Sequence, residues 1–238
     1  MKLKQVLPAV FAVVLGLAAM PAQAGALWYN GDFDQNDGLP SEHNGGGILG
    51  IDSYVYDNFT IASGTYDATD VFGYFLSDTS SILGAQFEIR QAVGSGDGGT
   101  VTASGSTGSA SWSATATTFT NGLTLYQLGM NVSGVALSPG TYWLGLRPIL
   151  DPAQFQNAYA ASTSGTNGTG YLAGNAYVDS AFFGYDFMLT TDGPYPADYS
   201  LGVDATLQGG GGGTPEPSTM LLGMGGLAGF LLLRRRRC

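Results

Sequence analysis

Cysteine, histidine and interior cations are nearly missing from this 238-residue chain. Its one cysteine, Cys238, is the last residue, behind Arg234 to Arg237. The body of the chain therefore has no disulfide and no thiol nucleophile. The one histidine, His43, stands in an Asn/Gly-rich stretch and reads as a solvated loop residue. A Ser-His-Asp set would have to recruit it, and no G-x-S-x-G elbow accompanies it. A single histidine without an interior cysteine also argues against zinc. Six of the eight cations lie near the ends, which leaves Arg90 and Arg147 for everything between. No interior segment keeps a 3.6-residue apolar period for twelve residues, and no internal repeat is evident. The 38 glycines would make helices costly.

What is abundant is acid, glycine and aromatic side chains. Seventeen acids stand against two arginines between the chain's ends, a formal charge of minus fifteen. Such a surface repels phosphate backbones, which excludes nucleic-acid binding; it also attracts divalent cations. Thirteen tyrosines, twelve phenylalanines and three tryptophans supply ample apolar surface for a core.

Both ends read as targeting segments. Residues 1–24 have a secretory signal's layout: Lys2 and Lys4, an apolar run from Val6 to Ala19, and an A-x-A site at Ala22-Gln23-Ala24, so cleavage would leave Gly25 first. At the other end Pro215-Glu216-Pro217 is followed by an apolar run, Thr219 to Leu233, and then by four arginines. A Pro-x-Pro unit stays extended and cannot join the helix behind it. The run is short for a bilayer of roughly 30 Å, a marginal span that snorkelling arginines help to complete. Its arginines would stay cytoplasmic.

This order of parts resembles the PEP-CTERM sorting signal of bacterial surface proteins. The resemblance implies that an exosortase, a membrane protease, recognises Pro215, Glu216 and Pro217, cleaves nearby, and releases or transfers the ectodomain. It further implies a Gram-negative cell that makes extracellular polysaccharide, with the chain held transiently in the membrane by its C-terminal helix. The alternative for the tail is a permanent single-span anchor. Four segments result: a signal peptide at 1–24, an exported domain at 25–208, a Gly-rich linker at 209–214 and the sorting signal at 215–238.

The exported domain reads as all-β. Ser53 to Ile61, Val71 to Leu76, Ala85 to Val93, Leu123 to Val132, Thr141 to Ile149 and Tyr199 to Leu207 are β-branched and aromatic. Turn clusters separate them at Gly94 to Gly99, Asn121-Gly122, Ser138-Pro139-Gly140 and Asp192-Gly193-Pro194. Many short strands at this spacing predict an antiparallel β-sandwich, jelly-roll-like, flanked by the signal helix and a single transmembrane helix. Tyr56-Asp57-Asn58-Phe59-Thr60-Ile61, Phe87 to Arg90, Pro139 to Leu144 and Gly174 to Tyr177 look like strands of jelly-roll ectodomains that carry this sorting signal. The Ser/Thr/Gly-rich stretch from Gly94 to Ala116 predicts a polar hairpin turning near Gly105 to Gly108.

Four constellations could carry chemistry. Asp32, Asp34, Asn36 and Asp37 form an oxygen-rich stretch that could hold a structural Ca²⁺, although Asp37 sits where an EF-hand needs glycine; the alternative is an Asp/Asn-rich turn after the first strand. His43 is the second. Glu88 is the glutamate placed within a strand and a possible member of a glycosidase pair; Arg90, two residues on, makes an ion pair equally natural. Finally, aromatic rings can stack on sugars: Trp143 lies in an apolar strand and reads as core, while Trp112, among small polar residues, is the candidate glycan platform. No catalytic residue is assigned. The expectation is an exported surface or matrix protein with a structural or binding role in the exopolysaccharide layer. A carbohydrate-active enzyme and a surface adhesin are the alternatives.

Overall fold

The computed structural model describes residues 25–44, 50–119, 122–170 and 172–208. The expected signal helix, linker and transmembrane helix lie outside the described residues. Within them the chain is mainly β-strand, with a short 3-10 turn at Thr190–Asp192 and no α-helix. The strands are β1 (Gly25–Tyr29), β2 (Phe33–Pro40), β3 (Glu42–His43), β4 (Asp52–Ile61), β5 (Tyr66–Ser77), β6 (Gly84–Gln91) and β7 (Thr100–Thr107). They continue as β8 (Ser111–Thr118), β9 (Thr124–Leu137), β10 (Gly140–Ile149), β11 (Ala158–Thr163), β12 (Tyr177–Ser180), β13 (Tyr185–Leu189) and β14 (Leu201–Leu207).

Two curled sheets form a sandwich-like fold. In sheet A the long β5 has β9 along one side and, along the other, β14 beside its first part and β11 beside its end. Strands β1, β2 and β8 complete that sheet through β14, β11 and β9. Sheet B runs β13-β12-β4-β10-β6-β7, with the two-residue β3 bridging β4 and β10. The pairing is nested: β1 with β14, β4 with β10, β5 with β9 and β6 with β7, alternating between sheets A and B.

Alternation decides what lies between the sheets. Successive side chains on a strand point to opposite faces. From β4, β10 and β6 the inner face receives Val55, Phe59, Leu144, Leu146, Phe87 and Ile89; from β5, β9 and β14 it receives Val71, Phe75, Leu128, Met130, Leu201 and Val203. Burying each such side chain contributes on the order of 1.5–3 kcal/mol, which lets the sandwich stand without disulfides. Two acids share that interior. Asp57 of β4 is fully buried and accepts hydrogen bonds from Asn30 Nδ2 (2.7 Å) and from the backbone N–H groups of Tyr199 (2.6 Å) and Asn58 (2.7 Å). Because Asn30 follows β1 and Tyr199 precedes β14, these bonds tie sheet B to sheet A. Glu42 of β3, also buried, does the same by accepting from the Ala158 N–H of β11.

The six expected strands are all present, most with longer ends. The polar hairpin is corrected. Strands β7 and β8 do exist, but β7 pairs β6 in sheet B and β8 pairs β9 in sheet A. Between them Gly108 to Ala110 carries the chain from one sheet to the other, so the two strands are not partners.

Candidate functional site

The outer face of sheet B gathers Arg90 and Arg147, both arginines of the described residues. In register, Tyr56 of β4 sits opposite Gly145 of β10, which sits opposite Glu88 of β6. Gly145 is required there. A Cβ at that position would lie 2.5 Å from Tyr56 Cε1, so the missing side chain lets the tyrosine ring cross the β10 backbone toward β6. The Tyr56 hydroxyl donates to Glu88 Oε2 at 2.9 Å, and Arg90 Nε donates to the same oxygen at 2.6 Å. Arg90 Nη1 also donates to Gly98 O at 2.9 Å. Its guanidinium lies 5.0 Å from the Phe187 ring centre and 5.5 Å from that of Tyr56, within cation–π range. Phe187 reaches this position from a left-handed backbone (φ 42°), rare for a bulky side chain. It falls where the β12–β13 register shifts, between Val178 and Ser180.

A second group adjoins the first. Arg147 of β10 is buried, pairs with Asp52, and donates through Nε to Gln86 Oε1 at 2.9 Å. Its guanidinium carbon lies 3.8 Å from the centre of the Tyr54 ring. Burial pushes the Tyr54 hydroxyl up to about 12, with the Arg147 charge opposing. Burial also raises Tyr56, and the Glu88 charge adds to it. Tyr54, Tyr56, Val93, Trp143 and Phe187 form a small aromatic core of their own on this face. Trp143, expected in the core, is buried here and donates from Nε1 to Asn175 O at 3.3 Å. The expected Glu88–Arg90 ion pair is present.

The acidic stretch is neither a free loop nor a simple turn. Phe33 pairs with Thr163 and Gly38 with Ala161, so Asp34 to Asp37 form a wide bulge of β2 opposite the single residue Ser162. The Ser162 hydroxyl accepts from the Asp37 N–H (3.1 Å) and lies 2.6 Å from Asp34 Oδ1 and 2.8 Å from Asp37 O. Asp34 Oδ1 also accepts from the Asn36 N–H. Asp32 accepts from the Tyr29 hydroxyl and from Asn167 Nδ2, both at 2.7 Å. Asp37 accepts from the Gly38 N–H. Both Asp32 oxygens and one oxygen each of Asp34 and Asp37 thus face protein donors, and among the described residues no three His, Cys, Asp or Glu side chains converge as metal ligands. A cavity of about 330 Å³ beside the bulge is lined by Asp32, Phe33, Gln35, Tyr74, Thr115 and Thr117, among others.

His43 is corrected from a loop to a strand. It lies half-buried in β3, with Nδ1 3.4 Å from Asp52 Oδ1. Glu88 is also not alone among glutamates in strands, since Glu42 shares β3 with that histidine. Short polar strands escape composition because their partners, β4 and β10, are distant in sequence. Trp112 is half-buried. Its ring lies parallel to that of Tyr126 at 4.6 Å and 6°, and Nε1 donates to Thr79 O at 3.2 Å.

Alternation could have placed Tyr54 with Tyr56 on one face and Asp57 on the other. Nothing local signalled Phe187, which arrives from β13, whereas Asp52 opens β4 two residues before Tyr54, one residue ahead of the expected strand. Ala22, Ala24, Pro215, Glu216 and Pro217 lie outside the described residues, while Gly25 opens β1. No curated protein matches the chain. Residues 214–237 match the PEP-CTERM protein-sorting motif, and that motif marks the chain for recognition by an exosortase and export to the cell surface.

Proposed function

We propose that the chain is a surface or matrix protein of a Gram-negative cell, with a structural or binding role in its exopolysaccharide layer. The sorting motif at residues 214–237 carries this reading. In it the apolar run from Thr219 to Leu233 holds the chain transiently in the inner membrane. Cleavage near Pro215-Glu216-Pro217 then frees a jelly-roll domain. The nested strand pairs support the jelly-roll assignment, since a two-sheet roll of Greek keys pairs its strands in that way. The role is binding rather than bond breaking. Glu88, the candidate glycosidase acid, has Oε2 engaged by both Arg90 and Tyr56, which suits a fixed structural contact.

Cell fractionation tests the sorting. With Pro215, Glu216 and Pro217 replaced by alanine, the full-length chain should accumulate in the inner membrane while the native chain moves to the surface or medium. Equal distribution of both would remove the reading. Turnover of the cell's own polysaccharide that Glu88→Gln abolishes would turn the domain into an enzyme. Partner-dependent clumping of cells would make it an adhesin.

A further inference from the structure

One edge strand of sheet B, β13, is joined to β12 by a turn at Ala181 to Gly184. There the molecule leaves large apolar side chains in water: Phe182 is 52% exposed and Phe183 41%. They are firmly placed. Their rings meet edge to face at 4.8 Å, and Phe183 lies nearly parallel to Tyr185 at 6.0 Å. Tyr185 meets Tyr195 edge-on at 6.3 Å, with their hydroxyl oxygens 2.9 Å apart. Both tyrosines pack against the main core. Gly184, at φ 72°, gives the turn its left-handed step. The exposed pair is therefore rooted through ring contacts, and little freedom remains to be lost when a partner covers it. Adjacent exposed rings on a rigid tip mark an interaction site more than scattered surface residues do.

Charge selects the partner. Asp179, half-buried near the tip, and exposed Asp186 are close enough to repel each other, and the domain carries seventeen acids against two arginines. A second copy of the chain, an anionic bilayer or an acidic glycan would bring negative charge against this surface. An uncharged, hydroxyl-rich polymer would not. Its C–H faces cover aromatic rings, and its hydroxyls donate to carboxylates.

We propose that the β12–β13 hairpin tip is a contact site for a neutral polysaccharide. Phe182 and Phe183 stack against sugar faces, and Asp179 and Asp186 accept hydrogen bonds from sugar hydroxyls. This rests on the matrix-binding role proposed above, and it moves the glycan platform from Trp112 to the hairpin.

Affinity electrophoresis of the full-length chain in a zwitterionic detergent tests it. The gels contain hydroxyethylcellulose, mannan or dextran, with polygalacturonate as the acidic control and the cell's own polysaccharide run in parallel. At least one neutral polymer should retard the chain, with apparent affinity falling about tenfold in F182A/F183A and several-fold in F182S alone. Phe155→Ala, which removes an exposed ring elsewhere, should change nothing, and polygalacturonate should not retard the chain. Near-ultraviolet circular dichroism checks that the variants keep native packing. Retardation unchanged in both hairpin variants would overturn the hairpin site and leave the matrix-binding role standing. Retention by the cell's own polysaccharide but by no neutral polymer would overturn the ligand class. No retention by any polymer would overturn both. Flotation with phosphatidylcholine vesicles that depends on Phe182 and Phe183, without glycan retardation, would assign the tip to a membrane instead.

Discussion

Glu42 is a carboxyl group between two sheets that no ion pair engages among the described residues. Burial pushes its pKa up to about 7, the Ala158 N–H acting against this and the Asp78 charge adding to it. Its second oxygen, Oε1, has no hydrogen-bond partner among the described residues. In the unfolded chain it titrates near its ordinary value of 4.5. Between these values the folded state holds the extra proton, so stability is full below about pH 4.5 and is lost as pH rises through about 7. Glu42→Gln keeps an acceptor for Ala158. Urea melts should show this variant losing less stability than the native chain between pH 4.5 and 8, by up to about 3 kcal/mol. Parallel curves for the two proteins would show that Glu42 is ionised without cost.

Ser162 makes a sharper residue-scale case. One hydroxyl serves Asp34, the Asp37 carbonyl and the Asp37 N–H. Ser162→Ala should cost about 1–3 kcal/mol, the range for leaving buried polar groups without partners. It should also speed amide exchange at Asp37. A melt identical to the native one would mean that the bulge holds itself.

Among elements, the β4–β10–β6 register has little tolerance at Gly145. Gly145→Ala places a methyl group against the Tyr56 ring, and the Tyr54 ring is 3.1 Å from the same point. Overpacking of this kind costs roughly 1–3 kcal/mol, and displacing Tyr56 should also break its bond to Glu88. A lowered urea midpoint with altered near-ultraviolet dichroism is the expected result; an unchanged midpoint would mean that the outer-face aromatic core is soft. The segment from Gly94 to Gly99 is fastened to the same core, through Arg90 to Gly98 O and through the Gly96 N–H to β13 carbonyls. Arg90→Ala should open that segment to protease without unfolding the sandwich. Sequence alternation exposed these strands well but misjudged β7 and β8. The apolar positions from Thr100 to Thr118 are mostly alanine, with Val101 and Trp112 the large ones, so only a weak hydrophobic stripe selects a partner, and proximity along the chain suggested a hairpin that the sheets do not make.

For the whole molecule, the excess of acids is the dominant field. Both arginines of the described residues are held within sheet B's outer face, so they do little to neutralise the rest of the surface. Self-repulsion of this kind opposes the compact state and is screened by salt. The thermal midpoint at pH 8 should therefore rise as sodium chloride goes from low to physiological strength and above, and a falling midpoint would show that local ion pairs outweigh the overall field. Calcium at matched ionic strength gives a further comparison, because a rise beyond that with sodium would place a cation among the Asp32 to Asp37 oxygens despite their internal donors.

The linear chain by itself determined the sorting motif, the acidity, the all-β class and most strand positions, because each is written in local composition, in a short motif or in a period of two. It also determined that Tyr56 and Asp57 face opposite ways. Only the tertiary structure decided that Asp57 lies between the sheets while Tyr56 reaches Glu88, that the acidic stretch closes on Ser162, and that Phe182 and Phe183 remain in water while Trp112 lies against Tyr126. Those outcomes depend on which distant strand covers which face, and strand pairing across a hundred residues leaves no mark on the neighbours of any one residue.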